Sequence, residues 1–378
     1  MIEIKTVKTK KELKQFIQFY YDLYRGSDCA VPYLFFDEMA TLRRDKNPSF
    51  ECCEAEYFLA LRDGKVVGRV AAIINYRANE RWNCHQVRFG WFDFIDDMEV
   101  SSALLKAVEA WGKAKGMKEI AGPLGFIDTD REGMLVEGFD KLSTMYINYN
   151  YPYYPQHMEK LCGFSKDNDY VENIVKVPEV VPEKFAKITE MVRKRYGLRV
   201  HKFTRKELLS GGYGHEVFRL LNATYKNLYG FSQLSDSQVD KLVNDYIKIA
   251  DMNLITAVMD GDKMVGFGIT FPSFSRALQK TRDGRLFPFG WWHLLKILKW
   301  HKTPIVDLLL IGVLPEYRSK GANALIFDDL IRQFQRYGFD WAETGPMMES
   351  NDGVLSQWQY MEATVNRRHR CYRRILDK

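Results

Sequence analysis

The alternation of apolar and polar residues predicts an ordered series of strands and helices. Ile2–Val7 reads as a short strand, and Lys10–Leu23 has the spacing of an amphipathic helix. Thr9 and Glu12, three residues apart, predict a capping box at the start of that helix. Apolar runs on both sides of the turn sequence Arg62–Lys65 predict a hairpin, with more strands and helices after it. The order predicts an α/β fold with a mixed sheet flanked by helices.

This order occurs twice along the chain. Thr9–Leu13 is echoed by Thr204–Leu208, and Leu59–Gly68 by Thr256–Gly266. A third pair of matching segments, which leads to Gly122-Pro123 and to Gly345-Pro346, keeps the same order. Internal repeats of this kind indicate two copies of one domain. We therefore predict two domains, residues 1–178 and 179–378, joined by a linker with two prolines.

Composition narrows the class of protein. The 378 residues are 46% hydrophobic and 28% charged, as in ordinary globular proteins, and the net charge is +6. The six cysteines show neither CxxC nor zinc spacing, which predicts reduced thiols and no metal site. The first residues lack the apolar core of a signal peptide, so a cytoplasmic protein is expected. The modest charge suits an anionic small ligand or membrane surface, and we expect no nucleic-acid partner.

The most informative local motif connects a predicted strand, Ile305–Ile311, to a predicted helix, Ala324–Tyr337. The connecting loop contains Arg318, Lys320 and Gly321. Such a turn directs backbone N–H groups and the positive end of the helix toward one point, which favours binding of a pyrophosphate.

The motif resembles the acyl-CoA pyrophosphate loop of the GNAT N-acyltransferase superfamily, Arg/Gln-x-x-Gly-x-Gly/Ala. Arg318, Gly321 and Asn323 match its three defined positions, although Asn replaces the usual small residue. The resemblance implies two tandem GNAT-like domains, with acyl-CoA as co-substrate in the second. The residues it assigns to the cofactor are Val313, Arg318, Ser319, Lys320, Gly321, Ala322, Asn323, Ala324 and, at the next helix, Asn351.

The resemblance also shows a departure from the family. Trp358 stands where GNAT enzymes usually have the tyrosine that protonates the leaving thiolate, and indole cannot do this. Tyr372 in the final strand and Tyr360 are the substitutes we consider. A surface role for Tyr372 is an equally good interpretation.

The amine that attacks a thioester must lose a proton, and a carboxylate can accept it. Asp307 and Glu343 each lie in an otherwise apolar predicted strand, where burial would raise the pKa. Both are candidate catalytic bases, Glu343 before Asp307, and a solvated strand end or a cap is the alternative for each.

The first copy has Asp96-Asp97-Met98-Glu99 where the phosphate loop should be. Three carboxylates without a glycine would repel a pyrophosphate, so this copy is expected to support the fold or recognise the acceptor. In the second copy, GNAT enzymes usually build the acceptor site between the first helices, which here implies Tyr225, Tyr229 and Phe231.

The second copy also has an insertion, roughly from Pro272 to Pro304. Its segment 287–300 combines aromatic residues with Lys296 and Lys299, a pattern typical of helices at a membrane interface. The alternative is a helix that only covers the sheet or a pocket. Membrane association through 287–300 therefore stays an open hypothesis.

The whole chain resembles a narrower group of bacterial tandem GNAT proteins that includes bacterial ceramide synthases. The likeness is carried by Lys46–Phe50, Glu54–Ala60, Gly133–Asp140 and Pro315–Arg318. It implies N-acyl transfer to an amine, with a lipid amine, a small polar amine or a peptide as acceptor. The competing hypothesis is a non-catalytic acyl-CoA-binding or scaffold protein. Acyl length, oligomeric state and the use of CoA or an acyl carrier protein are left open.

Overall fold

The computed structural model describes residues 1–161 and 163–376, with side chains throughout except at positions 352, 359 and 360. The strands of the described residues are β1 (Glu3–Thr6), β2 (Cys53–Arg62), β3 (Lys65–Asn75), β4 (Gln86–Phe94), β5 (Glu119–Gly122), β6 (Met134–Glu137), β7 (Ser165–Lys176), β8 (Arg199–His201), β9 (Ile255–Asp260), β10 (Lys263–Pro272), β11 (Ile305–Val313), β12 (Trp341–Thr344), β13 (Met347–Met348) and β14 (Ala363–Ile375).

Helices alternate with these strands. They are α1 (Lys10–Leu23), α2 (Phe35–Thr41), α3 (Tyr76–Trp82), α4 (Met98–Ala114), α5 (Tyr153–Lys160), α6 (Glu183–Tyr196), α7 (Arg205–Ser210), α8 (Tyr213–Tyr225), α9 (Asp236–Ile249), α10 (Ser275–Gln279), α11 (Gly290–Trp300), α12 (Pro315–Arg318), α13 (Ala322–Tyr337) and α14 (Asp352–Leu355). Short 3-10 turns occur at Pro48–Glu51, Met252–Leu254 and Ser356–Tyr360.

The sequence patterns predicted most of these elements. The capping box at α1 is confirmed, because Glu12 N–H donates to Thr9 Oγ1 over 3.2 Å and Thr9 N–H donates to the Glu12 carboxylate over 2.9 Å. The predicted hairpin is formed by β2 and β3. Helix α4 begins at Met98, where the Asp97 side chain caps it.

All strands belong to one mixed sheet, which confirms the predicted fold class. The main order is β1-β2-β3-β4-β5-β14-β7-β12-β11-β10-β9-β8. One face carries a continuous apolar core that α1, α8 and α9 contribute to. The opposite face is covered by α4 in the first half and by α13 in the second, in separate clusters.

The two halves exchange their last strands. Strand β7, the last strand of the predicted first copy, pairs with β12 of the second. Strand β14, at the end of the chain, pairs with β5 of the first, and β7 and β14 also pair with each other. Each half-sheet is therefore completed by a strand from the other half. The division at residue 178 stays a proposal about chain order, since the hydrogen bonds of the sheet cross it.

Candidate active site

Strands β11 and β12 part at the centre of the second half. They pair in parallel from Ile305 and Trp341 as far as Leu308 and Thr344. Immediately afterwards β11 contains one extra residue relative to β10, since Thr270 opposes Leu308 and Ile269 opposes Leu310. A bulge of this kind bends its strand. The chain after β12 turns away to pair with β7 through β13, so residues 309–313 of β11 have no strand partner on that side among the described residues. We call this unpaired side of β11 the strand opening.

The predicted phosphate loop lies at the end of β11. Helix α12 forms a single turn, and Gly321, with φ of +83°, begins α13. The first N–H groups of a helix have no partner within it, so they face outward at its positive end. Arg318 Nε donates to the carbonyl of Val313 over 3.1 Å, and Lys320 Nζ lies 4.1 Å from the centre of the Tyr317 ring. Both basic side chains are thus held at the loop.

The space that Gly321 leaves by lacking a side chain is filled by a neighbouring helix. A Cβ atom there would lie 2.8 Å from a methyl group of Ile188 and 3.0 Å from one of Val192, both on α6. The missing side chain therefore lets α6 pack on the loop, and it does not by itself admit an anion. Contacts with a pyrophosphate would come from the N–H side of the loop.

Replacing Gly321 with Ala tests this arrangement. We expect a positive φ and a steric clash together to weaken acyl-CoA binding by about tenfold or more, equivalent to ~1.4 kcal/mol. Gly338→Ala is the matched control, because Gly338 ends the same helix with φ of +71° and a Cβ added there would have nothing within 4 Å. Calorimetry should show weaker binding only for Gly321→Ala, and equal affinities in the two variants would contradict this account of the loop.

In the first half, acidic side chains occupy the corresponding turn and pair with groups of the same half. The Asp97 side chain accepts from Glu99 N–H over 2.8 Å at the start of α4 and pairs with Arg62 at 2.6 Å. Asp96 pairs with His157 at 2.9 Å. A carboxylate thus lies at the helix N-terminus where a pyrophosphate would bind, which supports the proposal that this half does not hold CoA.

The two predicted bases, Asp307 and Glu343, are neighbours across β11 and β12. They are direct register partners in the parallel pair, so their side chains share one face of the sheet. Both are buried. They lie near the end of the paired region, just before β11 and β12 diverge.

Glu343 is held in an ion-pair network. It pairs with Arg367 of β14, and its Oε1 accepts from Asn366 Nδ2 over 2.7 Å. Arg367 also pairs with Glu172 of β7 at 2.6 Å. Burial raises the pKa of Glu343, while the charge of Arg367 opposes that rise. Glu343 therefore has the contacts of a structural carboxylate that joins the two halves.

Asp307 is buried without such support. Neither of its oxygens has a hydrogen-bond partner among the described residues, although Ser273 lies close by. Burial raises the pKa of Asp307 well above its usual range, and the charge of Glu343 adds to the rise. An unpaired carboxyl with a raised pKa, next to the strand opening, is suited to accept a proton.

A second unpaired carboxyl was not predicted from the sequence. Asp128 lies in the loop between β5 and β6, and both of its oxygens are buried without a partner among the described residues. Burial and the nearby Glu132 raise the pKa of Asp128. Its charge in turn contributes to raising the pKa of Tyr225 to about 12, after the larger effect of burial. The first half thus places a carboxyl near the acceptor side of the second.

Of the three predicted acceptor residues, Tyr225 ends α8, and Tyr229 and Phe231 lie between α8 and α9; they do not form one cluster. Tyr225 Oη donates to the carbonyl of Ile311 over 3.1 Å, which places it at the strand opening. Tyr229 donates to Asp167 of β7, and its N–H lies 3.3 Å from the sulfur of Met348. Phe231 is buried in the core. Only Tyr225 meets the opening directly.

The remaining predicted site residues are spread more widely. Tyr372 is buried in the core under α4 and α5, about 17 Å along β14 from Arg367 at ~3.3 Å per residue. Burial raises its pKa to about 12. A surface role is therefore wrong for Tyr372, and its distance from Arg367 disfavours a role at the thioester. The side chain of Tyr360 lies outside the described residues.

Trp358 packs on α13, and Asn351 lies at the start of α14. Trp358 is buried against Phe327, with ring centres 5.7 Å apart, so it has a packing role at this position. The carbonyl of Asn351 accepts from the N–H groups of Val354 and Leu355 at 3.0 Å, which starts the short helix α14 as predicted.

Two known proteins resemble the chain over its whole length. Protein YghO of Escherichia coli (strain K12) is 27% identical over 381 residues, which cover 99% of this chain and 95% of that protein. The bacterial ceramide synthase of Caulobacter vibrioides (strain NA1000 / CB15N) is 23% identical over 395 residues, covering 98% and 96% respectively. No protein-family model matches the chain.

Solved structures resemble the fold over the same extent. A tandem GNAT protein from the clavulanic acid biosynthesis pathway aligns with a TM-score of 0.58 at 10% identity, covering 100% of this chain and 99% of that one. This chain has a tandem GNAT fold. A GCN5-related N-acetyltransferase from Sphaerobacter thermophilus gives a TM-score of 0.54 at 12% identity, covering 100% and 96%.

The described part of this GNAT fold contains neither a metal cluster nor a membrane span. No group of three or more His, Cys, Asp or Glu side chains among residues 1–161 and 163–376 could hold a metal ion. No helix in the same part of the chain is long and apolar enough to cross a membrane.

Proposed function

We propose that the chain is an N-acyltransferase whose second half binds an acyl-CoA and transfers the acyl group to an amine. The observation that carries this proposal is the unpaired, buried carboxyl of Asp307 beside the strand opening, on the strand that leads into the phosphate loop. The tandem GNAT fold supports acyl transfer as the class of reaction.

In the proposed reaction, the acceptor enters as an ammonium ion and gives one proton to the Asp307 carboxylate. The neutral amine then attacks the thioester carbon, so that an N–C bond forms and the C–S bond breaks. A second proton passes from the nitrogen to the departing thiolate, which leaves as the CoA thiol. Asp307 returns its proton to solvent. The products are an amide, the thiol and one proton.

We further propose a lipid amine as the acceptor. The support is the full-length similarity to a protein named a bacterial ceramide synthase, together with apolar residues at the opening. Leu309 and Leu310, at the bulge, both pack against the large core shared by the two halves. A long apolar chain could replace water along such a surface at a gain of about 0.8 kcal/mol per buried CH₂. Contact with a membrane would give such an acceptor a route to the site.

A thiol-release assay tests the proposal. With an acyl-CoA and a long-chain sphingoid amine, we expect release of free CoA thiol and formation of the amide, detected by mass spectrometry. A small polar amine of the same head-group chemistry should be acylated with a much lower kcat/KM. Release at equal rates for both amines would contradict a lipid acceptor while leaving acyl transfer intact.

The second candidate function is non-catalytic acyl-CoA binding. The buried position of Trp358, where GNAT enzymes usually have an acid, favours it. Binding of acyl-CoA with no thiol release for any amine, long-chain or polar, would support this alternative over the enzyme.

A further inference from the structure

The insertion between β10 and β11 carries an exposed aromatic surface. Helix α11 packs inward through Ile297, which is buried, and through Leu294 and Leu298, which join the core shared by the two halves. The other side of the segment faces outward. Its exposed aromatic side chains are Phe287 (78% exposed), Phe289 (72%), Trp291 (43%), Trp292 (40%) and Trp300 (46%).

These rings are arranged together. The ring centres of Trp291 and Trp292 are 5.7 Å apart, and those of Trp292 and Trp300 are 5.9 Å apart. The two phenylalanines precede the helix and are the most exposed of the set. An isolated exposed aromatic residue is common, but three exposed rings in contact, preceded by two more exposed rings just before the helix, indicate a binding surface.

The charged residues within the segment 284–306 all have one sign, and Arg285 pairs with Asp283 just outside it at 3.3 Å. Residues 284–306 include Arg285, Lys296, Lys299 and Lys302, and no Asp or Glu. Lys296 Nζ lies 5.3 Å from the centre of the Trp292 ring, and Lys299 Nζ lies 5.3 Å from that of Trp300. The basic groups therefore border the aromatic surface. A basic residue at this position gains about 1 kcal/mol near an anionic bilayer.

The first half extends the surface. Phe35 N–H donates to the carbonyl of Gly284 over 3.1 Å, and the Arg285 guanidinium lies 4.1 Å from the centre of the Phe35 ring. The next residue, Phe36, is 57% exposed. We call Phe36, Phe287, Phe289, Trp291, Trp292 and Trp300 the aromatic surface.

We propose that the aromatic surface docks on an anionic phospholipid bilayer. Tryptophan and phenylalanine insert at the level of the head groups, and the bordering cations pair with lipid phosphates. A protein partner would have to present acidic groups beside an apolar groove. An anionic membrane presents acidic head groups and an apolar interior over its whole area. This inference rests on the proposed function, because docking would bring the face of the sheet that carries Asp307 toward the membrane. Vesicle binding itself does not require turnover.

Vesicle co-sedimentation of the full chain tests the proposal. Vesicles of equal parts phosphatidylglycerol and phosphatidylcholine should bind the wild-type protein, with a blue shift of tryptophan emission, and pure phosphatidylcholine should bind it less. Phe287→Ser with Phe289→Ser should lower binding by about tenfold or more, since two large apolar groups no longer insert. Lys296→Glu with Lys299→Glu should abolish the preference for anionic vesicles.

The control variant is Lys187→Glu with Lys194→Glu, which makes the same change of charge on the exposed side of α6. It should bind anionic vesicles much better than the Lys296/Lys299 variant. Equal losses in the two charge variants, or no vesicle binding by the wild-type protein, would overturn the proposal. The wild-type protein could instead form a dimer and bind no vesicles. If Phe287→Ser with Phe289→Ser then dissociates that dimer, the proposal is overturned in favour of self-association. Loss of thiol release with vesicle binding intact would count only against the proposed enzyme.

Discussion

Replacing Asp307 with Asn is expected to lower kcat by about 100-fold to 10,000-fold and to raise the thermal midpoint at the same time. The loss of activity follows from removal of the proton acceptor, and general bases typically contribute that range. The gain in stability follows because Asn has no charge to bury, while the Asp307 carboxyl is buried without a hydrogen-bond partner among the described residues.

The stability effect should depend on pH in a defined way. The pKa of Asp307 is raised in the folded state, and that of Asp in an unfolded chain is about 3.9. Between these two pKa values the folded state binds more protons, so the free energy of unfolding falls as pH rises. The Asn variant lacks this contribution. Its thermal midpoint should exceed that of the wild type by more at pH 8 than at pH 5.

Asp328→Asn provides the contrast. Asp328 is also buried, but it pairs with Arg332 at 2.8 Å, so its loss should lower stability and leave kcat nearly unchanged. If Asp307→Asn kept kcat within threefold of the wild type, Asp307 would not be the base. Asp128→Asn would then be the next variant to measure. The Asp128 carboxyl is also buried without a hydrogen-bond partner among the described residues, and it lies near Tyr225.

Replacing Arg367 with Met is expected to destabilise the protein by about 3–5 kcal/mol, because it leaves two buried carboxylates without their cation. Those carboxylates are Glu172 of β7 and Glu343 of β12, and all three side chains are almost fully inaccessible to solvent. Since β7 and β14 connect the two half-sheets, both halves should unfold in one transition at lower denaturant.

Urea unfolding, followed by circular dichroism and by tryptophan fluorescence, measures this effect. Arg219→Met is the matched control, because Arg219 pairs with Glu216 on the surface and its side chain is 74% exposed. An exposed pair contributes about 0–1 kcal/mol, so the control should change little. A loss of less than about 1 kcal/mol for Arg367→Met would mean that the buried network does not join the halves.

The sequence was sufficient for local structure and for the fold class. Capping residues, turn residues and the repeat gave the order of elements, because these signals act over short stretches of chain. The strand–loop–helix motif around Gly321 likewise placed the candidate phosphate loop at the end of β11. The structure then supplied an additional reason for the glycine, the packing of Ile188 and Val192.

The sequence could not give the partners of the last strands. Strands β7 and β14 are the last strands of two similar copies. Two similar sheet edges are therefore available to each of them, and local sequence patterns do not determine which edge each strand pairs with. The exchange decides that Arg367 meets Glu343 and that Tyr372 lies next to Gly122. Asp128 carried no signal either, because an acidic residue in a loop that also contains Asp130 and Glu132 reads as a solvated group.

Calorimetric titration with a matched pair of thioesters tests the central claim most directly. An acyl-CoA and the corresponding acyl-pantetheine carry the same acyl chain and the same thioester, and the second lacks the pyrophosphate together with the adenosine 3′-phosphate that it carries. If the loop at Arg318–Gly321 binds the pyrophosphate, the acyl-CoA should bind at least about 100-fold more tightly, equivalent to ~2.7 kcal/mol. Equal affinities, or no binding of acyl-CoA, would contradict the account.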